Sequence, residues 1–273
     1  MPDILTEEEL REVIQGLSNP ESDDYDHALG ILHQLPENEL AGLFRTLMDD
    51  PDAILALGVA RAIGIIGCRS AADVVMTLIE EPGKWFGHAD RTAIRMTAIE
   101  SVGMLRDPSG VGILMDLIGS TRDAEMQLQA VRALGEIGSP ASTIPLIAHM
   151  KTTPQIALSA AGAMVQIGGE DAFMGLIAGL SDDEEMVQSA CVWALGKMGD
   201  QRAVGPLVKL AIRSEAFLRR DIAWALGEIG GLKSRAALGE LCRMDPDIGV
   251  RREASRAIIC GAVAKKQKGE IGE

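Results

Sequence analysis

The stretch WALGKMGD at Trp193–Asp200 returns as WALGEIGG at Trp224–Gly231, 31 residues further on. With Gly199 as reference, the same succession of Ala, Leu, small residue and turn recurs at Pro36, Gly67, Arg106, Gly138, Gly168, Gly230 and Ala262. The spacings along the chain are 31, 39, 32, 30, 31, 31 and 32 residues. Eight units at a period near 31 residues, with one longer gap, are the mark of a stacked-repeat solenoid. No other feature narrows the possible folds as much.

Each unit reads as two short helices. In MVQSACVWALGKMG, residues Val187, Cys191, Ala194, Leu195 and Met198 fall at offsets 0, 4, 7, 8 and 11, a stripe on one helical face. A shorter stripe, Val204, Leu207, Val208 and Ala211, marks a first helix. The helices are separated by the polar breakers SNPESDD, DDPD, STRD, KTTP, SDDE and MDPD, which put Asp, Ser or Thr where an N-cap is wanted. Most glycines sit at repeat turns, where they serve as helix C-caps. With 47% apolar but only 3% aromatic residues, the core must be built from Ala, Leu, Ile, Val and Met. Two short helices cannot bury both apolar faces alone, so pairs must stack. The expectation is an all-α chain, a right-handed α-solenoid of about eight helix pairs forming one domain over residues 1–263. The 39-residue spacing marks an inserted loop at 82–90, and AKKQKGEIGE at 264–273, without apolar periodicity, is expected as a flexible tail.

Charge is unevenly spread. Residues 1–53 hold 14 acidic and 2 basic side chains, whereas residues 201–268 hold 14 basic and 7 acidic. This asymmetry speaks to partners rather than fold, and it admits self-association through oppositely charged ends. No run of about 18 apolar residues is present, and the start MPDILTEEEL is acidic where a signal peptide is basic. A soluble cytoplasmic protein that contacts no membrane is expected. Cys68, Cys191, Cys242 and Cys260 form no CxxC pair and are read as buried, reduced thiols.

The stretches AVRALGEIGSPASTIPLI, CVWALGKMGDQRAVGPLV and IAWALGEIGGLKSRAALGEL resemble HEAT repeats of the short kind found in phycobilisome lyases. The resemblance is clear from about residue 54 to 262 and weaker in the first unit. It implies that the second helix of each pair lines the concave face, and that the arginine opening it (Arg95, Arg219, Arg251) reaches an acidic residue of a neighbouring helix start. It does not imply one function, because the repeat serves scaffolds, adaptors, lyase subunits and regulators alike. One enzyme family built on it, the deoxyhypusine hydroxylases, binds di-iron through His-Glu dipeptides. This chain has no His-Glu dipeptide, and His27, His33 and His149 lack acidic residues at metal-ligand spacing. Phosphate-binding loops, a GxSxG elbow and a close Cys–His pair are likewise missing from the sequence. No metal, cofactor or catalytic residue is expected.

The positions opposite the core stripe then carry the functional reading. The row holding Trp193 contains Arg61, Glu100, Arg132, Gly162, Trp193, Trp224 and Arg256, so the tryptophan is a free choice and not part of the repeat. Four residues later stand Lys197 and Glu228; four residues earlier stand Arg220 and Arg252. Two indoles roughly 10 Å apart, flanked by arginines, have the composition of an interface hot spot, with packing flat against adjacent helices as the alternative. The inserted EPGKWFGHAD adds Trp85 and Phe86, with His88, as a second binding element or as an edge cover. The expected partner-binding residues are therefore Arg61, Arg132, Trp193, Lys197, Arg220, Trp224, Glu228, Arg252, Arg256, Trp85 and Phe86. The leading expectation is a non-catalytic scaffold or adaptor that holds a protein or peptide. One alternative is a bilin lyase subunit or chromophore-handling protein, in which arginines would meet the propionates. A second alternative is nucleic-acid binding, disfavoured because positive charge is confined to the last two units.

Overall fold

Helical backbone satisfies its own polar groups locally, which suits stretches rich in Ala, Leu and Ile between capping residues. The computed structural model describes residues 7–17, 21, 24–48, 52–81 and 87–269; among them there are sixteen α-helices and no strand. In chain order they are α1 (Glu7–Gly16), α2 (Tyr25–Leu32), α3 (Glu37–Leu47), α4 (Ala53–Ile66), α5 (Ala72–Glu80), α6 (His88–Leu105), α7 (Gly110–Ser120) and α8 (Ala124–Ile137). They continue as α9 (Thr143–His149), α10 (Pro154–Ile167), α11 (Gly169–Gly179), α12 (Glu185–Met198), α13 (Val204–Ala211), α14 (Ala216–Ile229), α15 (Gly231–Met244) and α16 (Ile248–Gly269). Successive helices form the eight pairs that the repeat predicts, and the architecture is that of an all-α solenoid.

The helices gather in two compact units, Met1–Ser139 and Pro140–Glu273. In the first, the second helices α4, α6 and α8 lie side by side, each against its own first helix, α3, α5 or α7. Here α1 packs along α4, burying Leu10, Ile14 and Leu17 completely. In the second unit, α10, α12, α14 and α16 form one layer, while α9 meets α11 and α13 meets α15 in the other. A second helix thus has neighbours on three sides. Val187, Ala190, Cys191, Val192, Ala194 and Leu195 of α12 are all buried, and only a narrow face stays open.

The repeated Ala-Leu-Gly is explained by this layer. Leu195 and Leu226 fill the core, whereas the glycine that follows each permits close approach of the next second helix. A Cβ at Gly196 would stand 2.9 Å from Ala225 Cα, and one at Gly103 would stand 3.0 Å from Ala133 Cα. At the reference column the backbone is left-handed: φ is 75° at Gly67, 71° at Gly138 and 69° at Gly199. Arg106 fills the same position at φ 51° without being a glycine.

The caps follow the breakers except at SNPESDD, where Asp24 makes no side-chain cap, and at SDDE. Asp52, Asp123 and Thr153 accept from the first-turn amides of α4, α8 and α10, as expected. At SDDE the N-cap is Glu184, which makes no side-chain cap, while Asp182 Oδ1 accepts from the Glu184 amide at 3.0 Å. In the first-helix layer, Arg202 joins Asp200 and, in the neighbouring pair, Glu170, and stacks 4.3 Å from the Phe173 ring centroid.

Two expected irregularities look different in the fold. The proposed loop 82–90 lies partly outside the described residues, at 82–86, but 88–90 are the first turn of α6. That helix has 18 residues where α4, α8, α10, α12 and α14 have 14, so part of the extra length is helical. Residues 264–269, expected in a flexible tail, continue α16 to Gly269, because the Ala- and Lys-rich segment has good helix propensity without an apolar stripe.

Candidate functional site

The open face of α12, α14 and α16 carries most of the expected residues. Trp193 and Trp224 are both half-buried and both lean across to the preceding second helix. The far edge of the Trp193 ring, Cη2 and Cζ3, stands 3.9 Å from the position a Cβ would take at Gly162 of α10. Cζ3 of Trp224 stands 2.9 Å from the corresponding point at Gly196 of α12. Each indole therefore occupies room left by a missing side chain, and the packing alternative describes one face of each ring. Above Trp224 the Lys197 ammonium lies 5.0 Å from the ring centroid, within the reach of a cation–π contact. The same ammonium is 3.3 Å from Glu228 Oε2.

The arginines expected to be left over for a ligand have carboxylates nearby. Arg220 Nε lies 4.0 Å from Asp247 Oδ1 and packs against Gly249, and Arg256 pairs with Glu253 at 3.0 Å. Arg252 is exposed and has no ion-pair partner among the described residues. Deeper in the row, Ser189 donates to Asp221 Oδ2 at 2.8 Å, tying α12 to α14.

The remaining expected residues do not join this group. In the first unit, Arg61 donates to the Leu17 carbonyl at 3.0 Å, so its guanidinium covers the C-terminal end of α1. Arg132 is exposed on α8. Burial pushes the nearby Glu136 carboxyl above its ordinary value, and the Glu100 carboxylate adds to the rise. Trp85 and Phe86 lie outside the described residues; His88 opens α6.

The arginine row at the start of the second helices acts differently from the ladder that the resemblance implies. Arg95 donates to the Glu80 carbonyl, Gln127 to Ile118 and Thr121, Gln188 to Asp182, Arg219 to Ser214 and Arg251 to Asp245 and Pro246. These side chains satisfy carbonyls at the end of the first helix of their own pair. Among the described residues only Arg219 also reaches an acid of the next pair: its Nε and Nη2 meet Asp245 Oδ2 and Oδ1 at 2.8 and 2.9 Å. This pair is almost closed to solvent, with Asp245 4% and Arg219 16% exposed. The guanidinium holds the Asp245 carboxyl below the ordinary aspartate value. The equivalence of Gln and Arg in this row was visible in the sequence as Met126-Gln127 and Val187-Gln188.

The cysteines are not uniformly buried. Cys68 and Cys191 are, and burial pushes the Cys191 thiol up to about 12. Cys242 is half-buried and Cys260 exposed, because α16 has no further helix beyond it among the described residues. No group of three or more His, Cys, Asp or Glu among the described residues is placed to hold a metal ion. The donor set among the described residues does not fit a di-iron centre of the His-Glu type. No helix among the described residues is long and apolar enough to cross a membrane.

Comparison with known proteins adds the following. A deoxyhypusine hydroxylase of Schizosaccharomyces pombe is 27% identical over 104 residues, which are 37% of this chain and 33% of that protein. The alignment thus spans about a third of the curated relative. Because that relative is an enzyme, the expectation that the chain is not an enzyme is corrected: catalysis belongs among its candidate functions. Among solved structures, human deoxyhypusine hydroxylase in complex with glycerol is 21% identical with a TM-score of 0.38, covering 92% of this chain and 95% of that one. The CpcE–CpcF complex of phycocyanin lyase from Nostoc sp. is 18% identical with a TM-score of 0.45, covering 81% and 94%. An engineered protein is 16% identical with a TM-score of 0.46, covering 94% and 82%. The family model for HEAT repeats matches residues 84–166 and 173–259. With more than half of its length matched, the chain belongs to the HEAT-repeat family.

Proposed function

We propose that the open row of α12, α14 and α16 holds a protein or peptide partner, with Trp193 and Trp224 as an apolar platform and Lys197, Glu228, Arg220, Arg252 and Arg256 around it. The observation that carries this reading is the placement of Lys197 over the Trp224 ring with Glu228 as its counter-ion. Exposed ion pairs of this kind are worth about 0 to 1 kcal/mol, so a carboxylate of a partner can replace Glu228 at little cost. The half-exposed indole beneath then gains its remaining burial, which is how tryptophans come to dominate interfaces. The same exchange is open to Arg220 and Arg256, and Arg252 has no ion-pair partner among the described residues to give up.

The test is to isolate a partner on the immobilised chain and measure its affinity for wild type, Lys197→Ala and Trp224→Ala. A loss of roughly 2 kcal/mol for Trp224→Ala is expected. Unchanged affinity in both variants would sink the reading.

A second reading, that the chain is catalytic, is favoured by its match to a deoxyhypusine hydroxylase. Incubation with iron(II) and a deoxyhypusine-bearing protein, followed by mass spectrometry, checks it. A mass gain of one oxygen atom would support this reading, whereas an unmodified substrate, the outcome that the donor set among the described residues favours, would remove deoxyhypusine as the substrate.

A further inference from the structure

A second surface lies in the other helix layer. Between α11 and α13 an open groove encloses about 360 Å³. Leu180 and Leu210, both buried, form its floor, and the half-buried Ile177 and Pro206 its walls. Two cations complete the lining, Lys209 on α13 and Arg213 in the turn that follows it. No carboxylate lines the groove. The volume falls at the low end of the roughly 300–1,000 Å³ of ligand sites, and an apolar lining with a few polar groups is their usual make-up. The groove between α13 and α15 differs in charge. It is lined by Glu240 and by Arg219 and Asp245, which are spent on each other, so its charge is mixed and selects no occupant.

Lys209 and Arg213 are four positions apart, a spacing at which like charges meet and repel. Both are exposed, and neither has an ion-pair partner among the described residues. Arg213 Nη2 donates to the Leu180 carbonyl at 3.1 Å, which anchors the guanidinium at the end of α11. It makes no second hydrogen bond among the described residues, so the rest of its donor fork is left for another group. A helix C-terminus favours cations, which accounts for their sign. It does not account for the missing carboxylate. The acids nearest in sequence act elsewhere. Asp182 accepts from the Glu184 amide through Oδ1 and stands 2.9 Å from the Lys151 ammonium through Oδ2. Asp183 and Glu184 act on that same lysine, and Glu215 acts on Arg219.

We infer that the α11–α13 groove docks a segment of a partner protein in which carboxylates flank an apolar side chain. The apolar side chain rests on Leu180 and Leu210 between Ile177 and Pro206. The carboxylates meet Lys209 and the unused edge of Arg213, whose fork suits bidentate pairing. Their arrival also relieves the repulsion between the two cations. Charge sign sets which segments dock, and the apolar contact adds affinity that salt does not screen. The surface uses no residue of the Trp193–Trp224 row.

The probes are short fluorescein-labelled peptides with a central Leu-Leu and flanks of Glu, Ser or Lys, followed by fluorescence anisotropy on the full chain. Saturable binding of the Glu peptide is expected, about tenfold or more tighter than that of the Ser peptide. Raising salt from about 0.01 M to about 0.15 M should weaken it. Lys209→Glu, at an exposed position whose folding circular dichroism checks, should weaken it about tenfold or more. Trp224→Ala should bind as wild type, which separates this inference from the reading of the second-helix row. Absence of saturable binding by the Glu peptide, equal binding of the Glu and Ser peptides, or unchanged binding to folded Lys209→Glu overturns the inference. So does equal binding of a Glu peptide with Ser in place of Leu-Leu, which would leave surface charge alone. A dimer in sedimentation that Lys209→Glu dissociates would assign the groove to a second copy of the chain and overturn it as well.

Discussion

Lys197 holds its ammonium 5.0 Å from the centroid of the Trp224 ring, across the seam between α12 and α14. The ring is half-buried, so truncating it removes packing as well as a surface. Trp224→Ala is expected to cost about 2 kcal/mol of stability, below the roughly 3 to 5 kcal/mol of a core tryptophan. Lys197→Ala should cost less than about 1 kcal/mol. Thermal melts of the two variants check the ordering.

Two glycines beneath the tryptophans should respond with opposite sign. A Cβ at Gly196 would fall 2.9 Å from both Ala225 Cα and Trp224 Cζ3, so Gly196→Ala forces α12 and α14 apart, at about 1 to 3 kcal/mol. At Gly162 the nearest ring atoms are 3.9 Å away, an ordinary contact. Gly162→Ala should therefore stabilise by up to about 1 kcal/mol through helix propensity alone. Urea unfolding of both variants decides; destabilisation by both would show that Trp193 lies closer to α10 than described.

The Arg219–Asp245 pair predicts an acid-dependent loss. Its aspartate is held below the ordinary value, first by the hydrogen bonds from Arg219. A depressed carboxyl contributes stability that is present above its unfolded value of 3.8 and is lost as pH falls through the lower folded value. Asp245→Asn should cost about 3 kcal/mol near neutrality, as expected when one partner of a buried pair is removed. The gap between wild type and variant should narrow below about pH 4. Melting temperatures from pH 7 to pH 2 test it, and a constant gap would remove the ion pair as its cause.

Arg106 takes, at φ 51°, the left-handed turn that Gly67, Gly138 and Gly199 take in their units. Arg106→Gly should stabilise by about 1 kcal/mol, and Gly199→Ala should destabilise by a similar amount. Denaturant midpoints measure both.

Thiol reactivity should separate the cysteines. Cys260, exposed on α16, is expected to react with a disulfide reagent within the mixing time of a neutral assay. Cys191, buried and with its thiol pushed up to about 12, should react only as the chain unfolds. Fast labelling of Cys191 in the folded chain would contradict its burial.

The sequence alone determined what depends on position along a single helix. A 31-residue period, apolar residues at offsets 0, 4, 7, 8 and 11, Asp or Thr before a second helix and Gly after it are local rules, which α4, α8 and α10 obey in full. It also showed that Trp193 and Trp224 lie off the repeated core. Tertiary structure alone decided what those residues touch. Trp193 and Trp224 tilt onto α10 and α12 because Gly162 and Gly196 leave room there, Arg61 covers the end of α1, and Arg219 finds Asp245 26 positions away. The α13–α15 groove likewise depends on how far apart two first helices stand. Helical periodicity fixes the direction of a side chain about its own axis; the space it meets is set by the length of side chains on the neighbouring helix.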